Sequence, residues 1–131
     1  MPSGDKDPFS DAQVREISRA CNTASSESGL HYSVYIGAAE GDIRDHAGRL
    51  HAALGGAVAN RAVLVLVAPQ DRQLEIVTGK ESSRRLSDRA CALAALSMTT
   101  AFAGGDLVGG IVTGLRMLSE ASGRELSAGH H

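Results

Sequence analysis

The sequence predicts an α/β fold: an α/β/α sandwich with a small mixed sheet, built in the order α-β-α-β-β-α-α. The run from Ala62 to Ala68 is unbroken, apolar and rich in β-branched residues, which is typical of a strand in the middle of a covered sheet. A polar turn, Pro69–Arg72, and an alternating segment from Gln73 to Thr78 follow it directly. Amphipathic helical patterns lie on both sides of this hairpin in the sequence. Strands alternating with such helices predict a sheet covered by helices.

The chain before the hairpin predicts a helix, a strand and a second helix. Ser10 and Gln13 have the spacing of a capping box for the first helix, and Gly29 is suited to end it. The alternation from Leu30 to Ala38 predicts a strand. Asp42 is placed to cap the second helix, because apolar residues then recur at helical spacing. These residues are Ile43, Ala47, Leu50 and Leu54. A helix between the first two strands favours a parallel pair with a right-handed connection.

The chain after the hairpin predicts a connector and two helices. The tight turn makes the second strand pair antiparallel. We expect a polar loop at 80–85, a third helix starting near Ser87, and a fourth helix ending at about Ser119. The glycines at 104–105 separate these two helices. The predicted organisation is a flexible leader at 1–8, one domain at 9–120 and a flexible tail at 121–131.

Composition narrows the class of protein. The length of 131 residues suits one domain, and 43% hydrophobic with 21% charged residues is ordinary for a soluble globular chain. A net charge of −2, with neither sign clustered over a long stretch, argues against a general nucleic-acid binder. No signal peptide and no window of about 18 apolar residues, the length that spans a bilayer, is present. Cys21 and Cys91 have no metal or redox spacing, so we interpret them as reduced packing residues and predict a cytoplasmic location.

Three carboxylates at the ends of predicted elements are the candidate metal ligands: Asp71, Asp88 and Asp106. Together they would bind a hard divalent cation such as calcium, provided that the fold brings them to one place. Each also has a structural interpretation, because aspartate is favoured in turns and at helix N-termini. Asp71 and Asp88 lie at opposite ends of one predicted strand, which argues against a single site. Both interpretations stay open.

No pattern in the sequence assembles a catalytic group. His46 and His51 are five residues apart rather than the four of a metal-binding helix face, and we expect them to be at the surface or partly buried. Ser82 and Ser83 lie in the predicted loop without the turn motif of a nucleophile. The glycine-rich segment 104–110 lacks the Gly-Lys-Ser/Thr ending of a phosphate loop. Catalytic residues are therefore unknown, and no cofactor-binding residue is predicted.

The middle and end of the chain resemble the TPM domain family. The resemblance rests on four segments: Asn60–Gly79, Leu86–Asp88, Phe102–Asp106 and Gly109–Leu115. The family includes thylakoid-lumen photosystem II repair proteins and membrane-anchored bacterial and animal relatives. Its small soluble actinobacterial branch of unknown function, the DUF5130 group, is the most similar. The chain has Asn60-Arg61-Ala62 where the family commonly has two asparagines and a glycine.

The resemblance implies an α/β/α sandwich and two functions. Some relatives are accessory subunits of membrane complexes, and some bind calcium or are described as acid phosphatases. Our leading hypothesis is a non-catalytic accessory or protein-interaction module, because no catalytic group is assembled. The alternative is a divalent-metal-dependent acid phosphatase-like hydrolase in which Asp71, Asp88 and Asp106 hold the cation. A protein partner is expected, and the oligomeric state is unknown.

Overall fold

A computed structural model describes residues 10–129 of the chain, with side chains as far as residue 123. The elements are α1 (Asp11–Ser28), β1 (His31–Ile36), α2 (Ile43–Ala53), α3 (Gly56–Arg61), β2 (Ala62–Ala68), a 3-10 turn (Pro69–Asp71), β3 (Gln73–Thr78), α4 (Ser82–Arg85), α5 (Asp88–Ala103) and α6 (Leu107–Gly129). The predicted α/β class and element order are confirmed, with the short helices α3 and α4 added. The predicted leader, residues 1–8, lies outside the described residues.

The helices differ from the prediction at one end of the chain. The last helix continues to Gly129 instead of ending near Ser119, so most of the predicted tail is helical. Serine and glycine lower helix propensity there, but extending an existing helix costs far less than nucleating one. Although α5 and α6 are the least polar helices, none of the helices in the described part of the chain is long and apolar enough to cross a bilayer.

The sheet has the predicted mixed topology. Its strand order is β1-β2-β3, with β1 parallel to β2 and β2 antiparallel to β3. In this register His31 lies opposite Ala62, and Val63 lies opposite Thr78. The central strand is therefore β2, which pairs with β1 on one edge and with β3 on the other.

Helices cover both faces of the sheet. On one face α2 packs Ala47 against Leu64 and Leu66. On the other face α1, α5 and α6 form the larger core with the apolar residues of all three strands. All residues of β2 are buried, as expected for a strand that is apolar on both faces.

Glycines allow α5 and α6 to pack closely. A Cβ atom on Gly110 would lie 2.8 Å from the Cβ of Ala101, and one on Gly114 would collide with Met98. Because such contacts are shorter than packed carbon atoms tolerate, these two positions need glycine.

Ser82 fixes the end of the hairpin from a fully buried position in α4. Its Oγ accepts a hydrogen bond from the Gly79 N–H at 2.7 Å and donates one to the Ala62 carbonyl at 2.8 Å. The predicted polar loop at 80–85 is therefore wrong for this residue. A buried hydroxyl that bonds two backbone groups connects the end of β3 to the start of β2.

We predict that Ser82→Ala destabilises the protein by about 1–3 kcal/mol, because two buried backbone groups lose a partner. Urea unfolding of the variant measures the loss. The control is Ser83→Ala, in which an exposed hydroxyl is removed and a change of less than about 0.5 kcal/mol is expected. Equal effects of the two substitutions would contradict the role given to Ser82.

Candidate interaction surface

The three predicted metal ligands lie at two ends of the sheet. Asp71 ends the 3-10 turn before β3, and Asp88 begins α5 after the other end of that strand. The last turn of α5 lies near the 3-10 turn that contains Asp71, because Phe102 of α5 and Arg72 line the same cavity. Asp106, which directly precedes α6, is therefore at the same end as Asp71 and opposite to Asp88.

The geometry gives two of these aspartates roles at helix N-termini. The Oδ1 atom of Asp106 accepts a hydrogen bond from the Gly109 N–H at 2.9 Å, and Asp88 lies in the first turn of α5 behind the Ser87 cap. Among the described residues, no three or more His, Cys, Asp or Glu side chains are grouped closely enough to hold a metal ion. A metal site shared by Asp71, Asp88 and Asp106 stays a prediction, and this arrangement does not favour it.

The two α2 histidines are buried, contrary to the expectation of surface or partly buried positions. The Nδ1 atom of His46 accepts a hydrogen bond from the Glu40 N–H at 3.0 Å. The Nε2 atom of His51 lies 3.3 Å from the Ala62 carbonyl and must donate to it. Each ring thus uses one nitrogen to satisfy the backbone beside the sheet, which is a structural role.

The cysteines and Tyr32 are poor candidates for reactive groups. Burial raises the pKa of Cys21 to about 11, an increase that the nearby backbone amide of Val34 partly opposes. Burial likewise raises the pKa of Cys91 and of Tyr32 above their ordinary values. All three groups are therefore protonated at neutral pH, and both thiols are unreactive compared with a thiolate.

The outer edge of β1 is covered by α1. The Ser25 Oγ accepts the outward-facing Tyr32 N–H at 2.9 Å, and the Cys21 sulfur interacts with the amide of Val34, the next outward-facing residue. Unpaired strand edges promote association with other chains, and folded proteins often cover them in this way. Two of the three outward-facing amides of β1, those of Tyr32 and Val34, thereby have partners on α1.

The outer edge of β3 is open. The Gly79 N–H bonds to the Ala62 carbonyl, which fixes the ladder so that Leu74, Ile76 and Thr78 direct their backbone groups away from β2. Within residues 10–129, no hydrogen bond reaches these outward N–H and C=O groups. The edge therefore presents the alternating donors and acceptors that a further strand requires.

The helix beside this edge, α5, is uncharged after its first two residues, Asp88 and Arg89. The sequence contains no charged residue between Arg89 and Asp106. Leu93 is 51% exposed and Leu96 is 62% exposed, the highest values among the large apolar residues of the described chain. We call the outer edge of β3 and the uncharged exposed residues of α5 the β3–α5 surface. Asp88 and Arg89, in the first turn of α5, are also exposed but are charged and lie outside this set. The uncharged exposed residues of α5 are Ala92, Leu93, Leu96, Thr99, Thr100 and Ala103.

A cavity of about 440 Å³ lies where β3 begins. Phe102 and Leu107 line it with apolar surface, and Thr99 and Gln73 contribute polar groups. Arg72 is the one charged residue among the described residues of its lining. The cavity thus continues the β3–α5 surface beyond the start of β3, where the 3-10 turn lies near the α5–α6 turn.

The β3–α5 surface was not predicted from the sequence, although one feature of it, the lack of charged residues in α5 after Arg89, is visible there. The uncharged stretch between Arg89 and Asp106 is visible in the sequence, but it is equally compatible with a buried helix. Only the packing shows that the face carrying Leu93 and Leu96 remains exposed while Ala94 and Met98 are buried.

Comparison with known proteins supports the fold and gives no activity. The sequence model of the family described as "Domain of unknown function (DUF5130)" matches residues 2–119. Uncharacterised proteins from two Mycobacterium tuberculosis strains are 30% identical over 114 residues, which is 86% of this chain. The chain spans 66% of the length of these curated relatives.

Three solved structures have a similar fold. The BA42 protein from the psychrophilic bacterium Bizionia argentinensis has a TM-score of 0.80 at 20% identity, covering 91% of this chain and 84% of its own. The N-terminal domain of a Corynebacterium glutamicum protein has a TM-score of 0.72 at 17% identity, covering 88% and 74%. The N-terminal domain of a P. gingivalis protein has a TM-score of 0.74 at 16% identity, covering 86% and 75%. At these identities the similarity shows the fold alone.

We predict that Asp106→Ala lowers the free energy of unfolding by about 0.5–2 kcal/mol, whereas Asp106→Asn, which keeps the cap, is nearly neutral. Asp71→Ala, in an exposed turn, should change it by less than about 0.5 kcal/mol. Thermal unfolding of the three variants measures these values. A calcium-dependent rise in the unfolding temperature that disappears in both Asp71→Ala and Asp88→Ala would contradict the purely structural interpretation and restore the shared metal site.

Proposed function

The chain belongs to the DUF5130 family, and we propose that this domain is a non-catalytic protein-interaction module that binds an extended segment of a partner protein at the β3–α5 surface. The contrast between the two sheet edges carries the proposal: Ser25 and Cys21 of α1 contact the outward amides of Tyr32 and Val34 on β1, whereas the edge of β3 is open beside the uncharged part of α5. The resemblance to TPM domains, some of which are accessory subunits of membrane complexes, supports an accessory role.

The partner segment binds as a fourth strand. Its backbone groups pair with the outward N–H and C=O groups of Leu74, Ile76 and Thr78, and every second side chain lies toward α5. Leu96 and the small residues beside it offer that side apolar contact without a charge to desolvate. Affinity then comes from the backbone ladder, and selectivity comes from the side chains that face α5.

The alternative hydrolase function has no observation in its favour. Ser82, His46 and His51 each bond to the backbone. The buried side-chain pair of Tyr32 and Ser122 joins two hydroxyl groups without a base. Cys21 and Cys91 are free, which agrees with a reducing compartment such as the cytoplasm as the site of action.

Site-specific photo-crosslinking tests the proposal. A benzophenone amino acid is introduced at Leu93 or Leu96 of the protein in the cells that naturally produce it. It should form a covalent adduct with one defined protein, because both positions adjoin the bound segment. Val14 on α1 and Val58 on α3 are matched controls, since they are 44% and 45% exposed and lie outside the β3–α5 surface. Adducts of the same mass and yield at all four positions would show that the contact is non-specific.

A phosphomonoester assay tests the alternative separately. The purified domain, with calcium or magnesium, should not hydrolyse p-nitrophenyl phosphate above the buffer rate. Hydrolysis that is lost on replacing Asp71, Asp88 and Asp106 by asparagine would overturn the non-catalytic function and favour the hydrolase.

A further inference from the structure

We infer that the domain recognises the free carboxyl terminus of its partner, with an apolar last residue in the cavity and its carboxylate at Arg72. This inference rests on the proposed function and specifies its ligand. The cavity of about 440 Å³ lies within the range of about 300–1,000 Å³ that is usual for ligand sites. It lies at the start of β3, so a strand paired with β3 leads directly into it.

The register of an antiparallel strand places its last residue at the cavity. Such a strand pairs with the outward groups of Ile76 and then of Leu74 as it runs toward the 3-10 turn. Two residues further along, it is opposite Arg72. Residues two apart share a face, and the side chain opposite Leu74 lies on the α5 face, where Leu74 itself joins the core with Phe102 and Leu107. The final side chain is therefore directed to the apolar part of the cavity.

The charge of Arg72 determines in which direction the ligand strand runs along β3 and which of its two termini reaches the cavity. Among the described residues, ion pairs join Arg44 to Glu75 and Arg61 to Glu81, and none involves Arg72. A terminal carboxylate would supply the missing partner through charge-assisted hydrogen bonds. A parallel strand would bring its N-terminal ammonium group to the same guanidinium, and an internal segment would bring no charge at all.

The backbone of Arg72 points to the same site. Its φ angle is 54°, and it is the one non-glycine residue of the described chain with a positive φ. Glycine adopts this conformation at lower cost, and backbone strain is concentrated at binding sites in folded proteins. Arginine therefore adopts this turn conformation at a higher conformational energy than glycine would, and Arg72 is one of the residues that line the cavity.

The experiment uses random heptapeptides displayed with free carboxyl ends as the probe. Selection on the whole chain should enrich Val, Ile, Leu or Phe at the last position. A selected peptide is then synthesised with a free acid and with a C-terminal amide, and fluorescence anisotropy gives both dissociation constants. Amidation should weaken binding by about tenfold or more, because the ion pair at Arg72 is lost.

Arg72→Gly is the decisive variant because glycine tolerates the left-handed backbone. It should bind the acid about tenfold more weakly than the wild type, and amidation should weaken its binding no further. Its unfolding midpoint should equal or exceed that of the wild type, which shows that the loss is not due to misfolding. Arg84→Gln, on the exposed end of α4, is the control and should keep the full preference for the acid.

The outcomes separate this inference from the proposed function. Equal affinities for acid and amide, or full affinity in Arg72→Gly, would overturn carboxyl-terminal recognition. If such peptides still shift the amide resonances of residues 73–78, the strand-binding function survives that failure. If selection enriches no sequence, the carboxyl-terminal inference is overturned, and the crosslinks at Leu93 and Leu96 then decide the proposed function by themselves.

Discussion

The structure depends on the complete burial of β2. The strand from Ala62 to Ala68 is apolar on both faces, so it needs a covering layer on each face and a strand on each edge. The α2 helix supplies one layer, and α1, α5 and α6 supply the other. At its start, the Ala62 carbonyl is bonded by Gly79, Ser82 and His51, which ties β3, α4 and α2 to the same point. These contacts leave little freedom in how the layers meet.

In a sheet of three strands only the central strand has a hydrogen-bonded neighbour on both sides, and each outer strand has one unpaired edge. The edge of β1 is covered because α1 lies alongside it and offers Ser25 and Cys21 to the outward amides. The edge of β3 has no such neighbour among the described residues, and α5 beside it carries no charge after Asp88 and Arg89 in its first turn. Edge strands in natural proteins are commonly blocked by charges, proline or a covering element. The one charged residue of β3, Glu75, forms an ion pair with Arg44 of α2, and β3 contains no proline. Since no described element covers its edge, the exposed Leu93 and Leu96 beside it are most simply explained as part of a binding surface.

The sequence was sufficient for local structure and insufficient for the site. The apolar run of β2, the Ser10 capping box and the Gly29 cap carry their own physical signals, and all are confirmed. The burial of Ser82 and the continuation of α6 to Gly129 depend on neighbours far along the chain, which no local pattern contains. Asp71, Asp88 and Asp106 show the same limit, because helix capping and metal binding favour the same residue type. The open edge could not be predicted, since pairing and helix packing decide which strand edge is covered.

Amide hydrogen exchange measured by NMR shows whether the outer edge of β3 is open. The outward amides of Leu74 and Ile76 should exchange about a hundredfold or more faster than the inward amides of Glu75 and Val77 on the same strand. Tyr32, whose amide is bonded to Ser25, should be protected at the opposite edge of the sheet. If Leu74 and Ile76 are as well protected as Glu75 and Val77, something already covers that edge, and the β3–α5 surface is not free to bind a partner.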